Sequence, residues 1–153
     1  MTTQFAACPH VQPAPVVTHQ RHSVLIIDDD HTLSEVLSHR LRKQGFNTVA
    51  AYSGSLGLKK AKSVRPSAIL LDLGLPDADG LTICEQLADA PETCGAPILI
   101  LSGRDEADLV RRCRVAGSHY FLRKPYDPNA LLVLIQQAIH DTKAWRCDDE
   151  RTA

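Results

Sequence analysis

The stretch VLIIDDDHTL, Val24 to Leu33, sets four apolar residues directly before three aspartates. Four apolar residues in a row lack the in-out alternation of a half-exposed strand. They fit a central parallel strand covered on both faces, with Asp28, Asp29 and Asp30 at its C-terminal end. Leu33, Val36, Leu37 and Leu41 then recur at helical spacing, so a helix starts just beyond Asp30 and that carboxylate is placed to cap it. Asp28 and Asp29 have no such duty. At an effective dielectric near 20, two unit charges about 4 Å apart repel by roughly 4 kcal/mol, so the cluster demands a cation nearby.

Working outward, the chain of 153 residues with 44% hydrophobic content is long enough for one ordinary core and suggests one domain. A net charge of −1 argues against a dedicated nucleic-acid surface, and Arg111, Arg112 and Arg114 read as a solvated helix face. Neither a signal segment nor an apolar run of spanning length occurs, so no membrane role and a cytoplasmic location are expected. Cys8, Cys84, Cys94, Cys113 and Cys147 are odd in number and form no C-x-x-C pair, which points to reduced thiols rather than a disulfide framework or a zinc site. The histidines are scattered, and the spacing of His19 and His22 reads as accidental.

Residues 1–22, with Pro9, Pro13 and Pro15 and no periodicity, read as a flexible N-terminal arm. From 23 to 141 strand and helix alternate five times. The strands are expected at Ser23 to Ile27, Phe46 to Ala50, Ala68 to Leu71, Pro97 to Leu101 and His119 to Leu122. The helices are expected at 31–44 closed by Gly45, 54–64 stopped before Pro66, 79–89, 105–116 closed by Gly117, and 128 to about 141. Gly57 is a weak helix former, but a small residue suits a place where the second helix meets the sheet. Residues 142–153 form a charged C-terminal tail or the start of a linker. The fold class is α/β: a five-stranded, doubly wound parallel sheet, (βα)5, in the flavodoxin-like order 2-1-3-4-5.

Such sheets bind ligands beyond the carboxyl ends of the strands where the winding reverses, here between strands one and three. Strand one ends in Asp28 and Asp29, and strand three in Asp72, within AILLDLGLPDADG. Strand four ends in Ser102, within ILILSGRDE, and strand five in Lys124, within YFLRKPY. Taken alone, Ser102 is a strand-end cap and Lys124 a surface lysine. On a shared rim they suit phosphoryl transfer to a carboxylate: several hard oxygen ligands for Mg²⁺, Asp72 as nucleophile, Lys124 as a point charge and Ser102 as a hydroxyl donor to phosphoryl oxygens.

This constellation resembles the receiver domain of two-component response regulators over roughly residues 23–140. The acid pair after VLII, the motif LLDLGLPDADG, the hydroxyl after strand four and the Lys-Pro dipeptide after strand five occur in family order. Ser102 follows Asp72 by 30 positions (102 − 72) and Lys124 follows it by 52 (124 − 72). The resemblance implies that Asp72 accepts phosphate from a phosphohistidine on a sensor histidine kinase or phosphotransfer protein. It implies Mg²⁺ bound directly by Asp29 and Asp72, through water by Asp28, and by the Gly74 backbone carbonyl. It further implies a cis Lys124-Pro125 peptide and a switch formed by Ser102 and Phe121. That switch would alter the face of helix four, strand five and helix five, the expected effector or homodimer surface. In the family, the residues two positions after the phosphoacceptor and after the switch hydroxyl tune phosphate lifetime; here they are Gly74 and Arg104. The family's DNA-binding branches often carry acids between the glycine after helix four and strand five. Gly117-Ser118-His119 lacks them, which argues against a salt-bridged dimer of that type; direct nucleic-acid binding is not expected given the net charge of −1.

A rival reading comes from IIDDDHTL, which also fits the D-x-D-x-T pattern of haloacid-dehalogenase-type phosphohydrolases, with Asp28 as nucleophile and Asp30 as acid-base. That reading needs a further apolar strand ending in acids after the lysine. Residues 128–141 instead carry Leu131, Leu132, Ile135, Ala138 and Ile139 at helical spacing, and the rival leaves Asp72 without a task. A degenerate receiver acting as a constitutive interaction module is disfavoured because every expected site residue is present. The chain is therefore read as a signalling phosphoacceptor that catalyses only its own phosphorylation and dephosphorylation, not as an enzyme.

Overall fold

A computed structural model describes residues 21–149, with side chains through Thr142. Along the chain run β1 (Ser23–Ile27), α1 (His31–Lys43), β2 (Asn47–Ala51), α2 (Gly54–Val64), β3 (Ala68–Asp72), α3 (Gly80–Asp89), β4 (Ile98–Ser102), α4 (Leu109–Val115), β5 (Tyr120–Arg123) and α5 (Pro128–Asp149). All strand pairs are parallel, and the order is β2-β1-β3-β4-β5, the order expected from the alternation of elements.

The sheet separates two apolar layers, because successive side chains of a strand point to opposite faces. Leu25 and Ile27 of β1 join Ile69 and Leu71 of β3 under α2, α3 and α4. Val24 and Ile26 join Leu70, Leu99 and Leu101 under α1 and α5. β1, β3 and β4 are almost wholly buried, whereas β2 and β5 at the edges are half-exposed. Gly57 does stand where α2 meets the sheet: a Cβ there would come within 2.6 Å of Ile27. Cys84 and Cys113 are core side chains of α3 and α4, and burial pushes the Cys84 thiol up to about 12.

β1 and β3 start where expected, whereas β2 and β5 each start one residue later for a local reason. Helix α1 ends in a Schellman-type turn, with Gly45 at φ 91°, its N–H on the Arg42 carbonyl and the Phe46 N–H on the Leu41 carbonyl. Phe46 is thereby drawn under the helix, and β2 begins at Asn47. Gly117 at φ 104° does the same after α4, with Ser118 N–H on the Cys113 carbonyl, so β5 begins at Tyr120.

Helix α4 is the larger departure, covering 109–115 instead of 105–116. Asp108 lies at φ 76°, in the left-handed region that a right-handed helix cannot include. Asp105 and Glu106 are engaged elsewhere, as ion-pair partners of Arg123 and of Arg104 and Arg112. At the other extreme, α5 runs on to Asp149, past the end expected near 141. The expected arm lies outside the described residues except for 21 and 22, as do residues 150–153 of the expected tail. No helix among the described residues is long and apolar enough to cross a membrane.

Candidate functional site

The C-terminal ends of β1, β3, β4 and β5 meet at one rim. Asp28 and Asp29 follow β1, and Asp72 closes β3. One carboxylate oxygen from each of the three lies within 4.8 Å of the others. Asp28 and Asp72 are 3% and 9% exposed, while Asp29 reaches solvent. The cation required by this cluster is Lys124, whose Nζ donates to Asp28 Oδ2 at 2.9 Å and lies 3.6 Å from Asp72 Oδ1. Burial opposes its charge, but the bond to Asp28 and the charges of Asp72 and Asp28 outweigh that and hold its pKa above the ordinary value. The lysine is delivered by the end of β5, where its backbone N–H bonds the Ser102 carbonyl at 2.9 Å; the Lys124-Pro125 peptide is cis.

Burial also raises the pKa of Asp72. The Lys124 charge and a Gly74 amide bond pull it down, while Asp28 and Asp29 push it up. A Cβ at position 74 would stand 3.4 Å from Asp72 Oδ2, so glycine leaves the carboxylate open on that side. Ser102 is 1% exposed, and its Oγ accepts the Arg104 N–H at 3.1 Å. Phe121 is half-buried on β5 opposite Ile100, against the layer under α2, α3 and α4. The rim thus combines a carboxylate, two further acids, a cation and a hydroxyl, groups whose chemistry suits binding of phosphoryl oxygens and a hard cation.

Asp30 stands apart. Its Oδ1 accepts the Leu33 N–H at 3.0 Å, the capping role read from the sequence, and its own N–H donates to Asp28 Oδ1 at 3.0 Å. The dehalogenase-type reading fails at both of its requirements: Asp30 caps a helix, and the chain after Lys124 forms α5 rather than a strand. Two of the three arginines of α4 are paired within the chain, Arg111 with Asp108 at 2.8 Å and Arg112 with Glu106 at 3.0 Å.

Two residues near the rim escaped the sequence reading. Asp77, midway through the turn after β3, accepts the N–H groups of Gly54 and Ser55 at 2.8 and 3.0 Å. These bonds lower its pKa. Tyr126, two positions after Lys124, packs against the layer under α1 and α5, and its buried hydroxyl has no hydrogen-bond partner among the described residues. Burial raises the pKa of that phenol, Lys124 opposing the shift and Asp28, Asp30 and Asp72 adding to it. An aromatic hydroxyl directly after Lys-Pro was the available signal for Tyr126. Asp77 had none, since its partners lie more than twenty positions upstream.

Residues 24–136 match the family model of the response regulator receiver domain. The chain is similar to the DNA-binding response regulator MtrA of Mycobacterium tuberculosis, 33% identical over 132 residues, which make up 85% of this chain and 54% of that protein. It spans about half the length of the curated relatives it matches. Among solved structures, the chemotaxis response regulator CheY4 of Vibrio cholerae superposes with a TM-score of 0.72 at 25% identity, covering 77% of this chain and 98% of that one. A CheY-like receiver domain protein from Methanospirillum hungatei, 22% identical, shares the fold with a TM-score of 0.77 over 81% of this chain and 98% of its own.

Proposed function

The chain belongs to the response regulator receiver domain family of two-component signalling, and from that premise we propose that Asp72 is its phosphoacceptor, with Lys124 and Ser102 binding the phosphoryl oxygens. The observation that carries this reading is the position of Lys124 Nζ, 2.9 Å from Asp28 and 3.6 Å from Asp72. It neutralises the crevice at rest and stands beside the atom to be modified. In the transfer, an Asp72 carboxylate oxygen forms a bond to phosphorus as the phosphorus–nitrogen bond of a donor phosphohistidine breaks, and the electron pair of that bond returns to the imidazole. Ser102 then gives up the Arg104 amide to donate to the new phosphoryl group. Phe121 follows into the space that Ser102 leaves, and the face of α4, β5 and α5 changes with it.

Three carboxylates converging within 4.8 Å fit a hard divalent cation such as Mg²⁺. Asp29, Asp72 and the Gly74 carbonyl would hold it directly, and Asp28 through water. Bound there, it supplies positive charge that offsets the incoming phosphoryl oxygens. The phosphodonor is a sensor histidine kinase or phosphotransfer protein, and the α4–β5–α5 face meets an effector, an output domain or a second copy. The domain, 23–141, works in the cytoplasm without touching nucleic acid or membrane. It acts only on its own Asp72 and turns over no separate substrate.

The test is labelling with acetyl phosphate in the presence of Mg²⁺. The parent is expected to gain an acid-resistant, base-labile phosphoryl group that Asp72→Asn cannot acquire. Label that persists in Asp72→Asn contradicts the assignment, and label then lost in Asp28→Asn would move the nucleophile to β1.

A further inference from the structure

The turn from Leu73 to Asp79 carries Gly74 and is fastened at three places. At its start, the Gly74 amide stands near enough to Asp72 to pull that carboxyl's pKa down. At its end, Gly80 lies so close to Leu73 that a Cβ there would stand 2.5 Å from the Leu73 Cα. In its middle, Asp77 crosses to another element and accepts both the first and second N–H groups of α2, at 2.8 and 3.0 Å.

The third fastening joins the turn to the helix start. From within its own sequence α2 is capped at its third amide alone, Ser53 Oγ accepting the Leu56 N–H at 3.3 Å, and the acceptors for its first two amides come from the turn through Asp77. The approach of the turn to α2 is built into both partners. Gly54 is buried, and a Cβ there would meet Ala78 at 3.2 Å and Ile83 at 2.9 Å, so glycine lets α2 begin this close to the turn without displacing either side chain. Ala78 and Leu75 pack from the turn into the layer beneath α2 and α3. The Asp77 carboxylate is exposed, yet both of its oxygens are committed to backbone donors in charge-assisted bonds.

We propose that Asp77 is a positioning residue for the phosphoacceptor site: its tether to α2 fixes the turn that presents the Gly74 carbonyl beside Asp72. The proposal rests on the reading of Asp72, Asp29 and Gly74 as the Mg²⁺ site. A carbonyl ligand on a turn is useful only if the turn does not drift, since metal affinity depends on the groups that orient the ligands. Through Asp77 the rigidity of α2, itself packed on Ile27 through Gly57, is passed to that turn.

The experiment compares Asp77→Ala, Asp77→Asn and Ser53→Ala in the full chain, measuring Mg²⁺ affinity by NMR titration and Tm for each. Asp77→Ala removes two bonds from the amides of the helix start and Ser53→Ala removes one, but only Asp77 ties that start to the turn. The expected result is a Mg²⁺ affinity about tenfold weaker in Asp77→Ala, the low end for a residue that orients a metal ligand. Recovery should be partial in Asp77→Asn, which keeps one acceptor oxygen, and Ser53→Ala should bind like the parent despite a lower Tm. Parent-like affinity in Asp77→Ala, or an equal loss in Ser53→Ala, overturns the proposal. A parent that binds no Mg²⁺ instead overturns the metal site on which it rests, a result distinct from either.

Discussion

Arg123 and Lys124 are neighbours at the end of β5, yet they serve opposite kinds of ion pair. Lys124 turns into the crevice between β1 and β3, where its partners Asp28 and Asp72 are nearly buried. Arg123 turns outward to Asp105, beside a second exposed group in which Glu106 meets Arg104 and Arg112 at the start of α4. The first network lies where Asp28 and Asp72 are nearly buried and water screens neighbouring charges far less than at the surface. The second lies where the sheet edge is half-exposed and a helical turn has been left unwound. The proposed chemistry falls on the buried side and the proposed conformational response on the exposed side, with one dipeptide joining them.

The sharpest way to break this contrast is to remove each cation. Lys124→Ala leaves Asp28 buried without its cation and is expected to lower the unfolding free energy by about 2–3 kcal/mol, under the full value for a buried pair because the lysine is 24% exposed. Adding Asp28→Asn should restore much of that loss. Urea denaturation measures both, and a loss below about 1 kcal/mol in Lys124→Ala would place the crevice with the surface.

Next in size is relief of repulsion. Asp29→Ala is expected to raise the unfolding free energy of the metal-free protein by about 1 kcal/mol while weakening Mg²⁺ binding. Asp72→Asn should likewise stabilise the metal-free protein near neutral pH. The folded pKa of Asp72 is raised above the ordinary 3.8, so its contribution to stability is complete below that value and lost as pH rises through the folded pKa. Calorimetry that shows either variant destabilised would mean the acids support one another by bonds rather than repel.

A smaller effect comes from His119, at the opposite end of β5. Its Nδ1 accepts the Ile98 N–H at 3.2 Å, and burial lowers its pKa below 6.5. Stability from the neutral ring is present above 6.5 and lost as pH falls through the folded pKa. His119→Gln should flatten that part of the stability profile, and a profile unchanged by the substitution would remove His119 as its source. Smallest is Arg123→Ala, expected to cost no more than about 0.5 kcal/mol, with the cost vanishing in high salt. A larger, salt-resistant loss would show that the outer network is structural after all.

The same contrast explains what could be read from the sequence. VLII, AILL and ILIL announce buried strands because central parallel strands have one composition and one length, and each carries its functional residue at its end. The capping role of Asp30 and the packing role of Gly57 were equally local. The first turn of α4 was not legible. Asp105, Glu106 and Asp108 look like the acids that favour a helix start, and nothing nearby in sequence says that arginines from β5 and from within α4 claim them instead. Asp77 was hidden for the same reason: its meaning lies in two amides of a different helix. Long-range polar partnerships leave no periodic trace, whereas apolar burial does.

The most direct measurement is amide NMR of the full chain with Mg²⁺, with and without beryllofluoride as a phosphoryl mimic, for the parent, Asp72→Asn and Ser102→Ala. In the parent, resonances around Asp72 should shift together with those of 103–123, including Phe121. Asp72→Asn should show neither change, and Ser102→Ala should keep the first while losing much of the second. Shifts around Phe121 that are as large in Ser102→Ala as in the parent, or a parent in which 103–123 does not respond, would contradict the link between the crevice and the α4–β5 side.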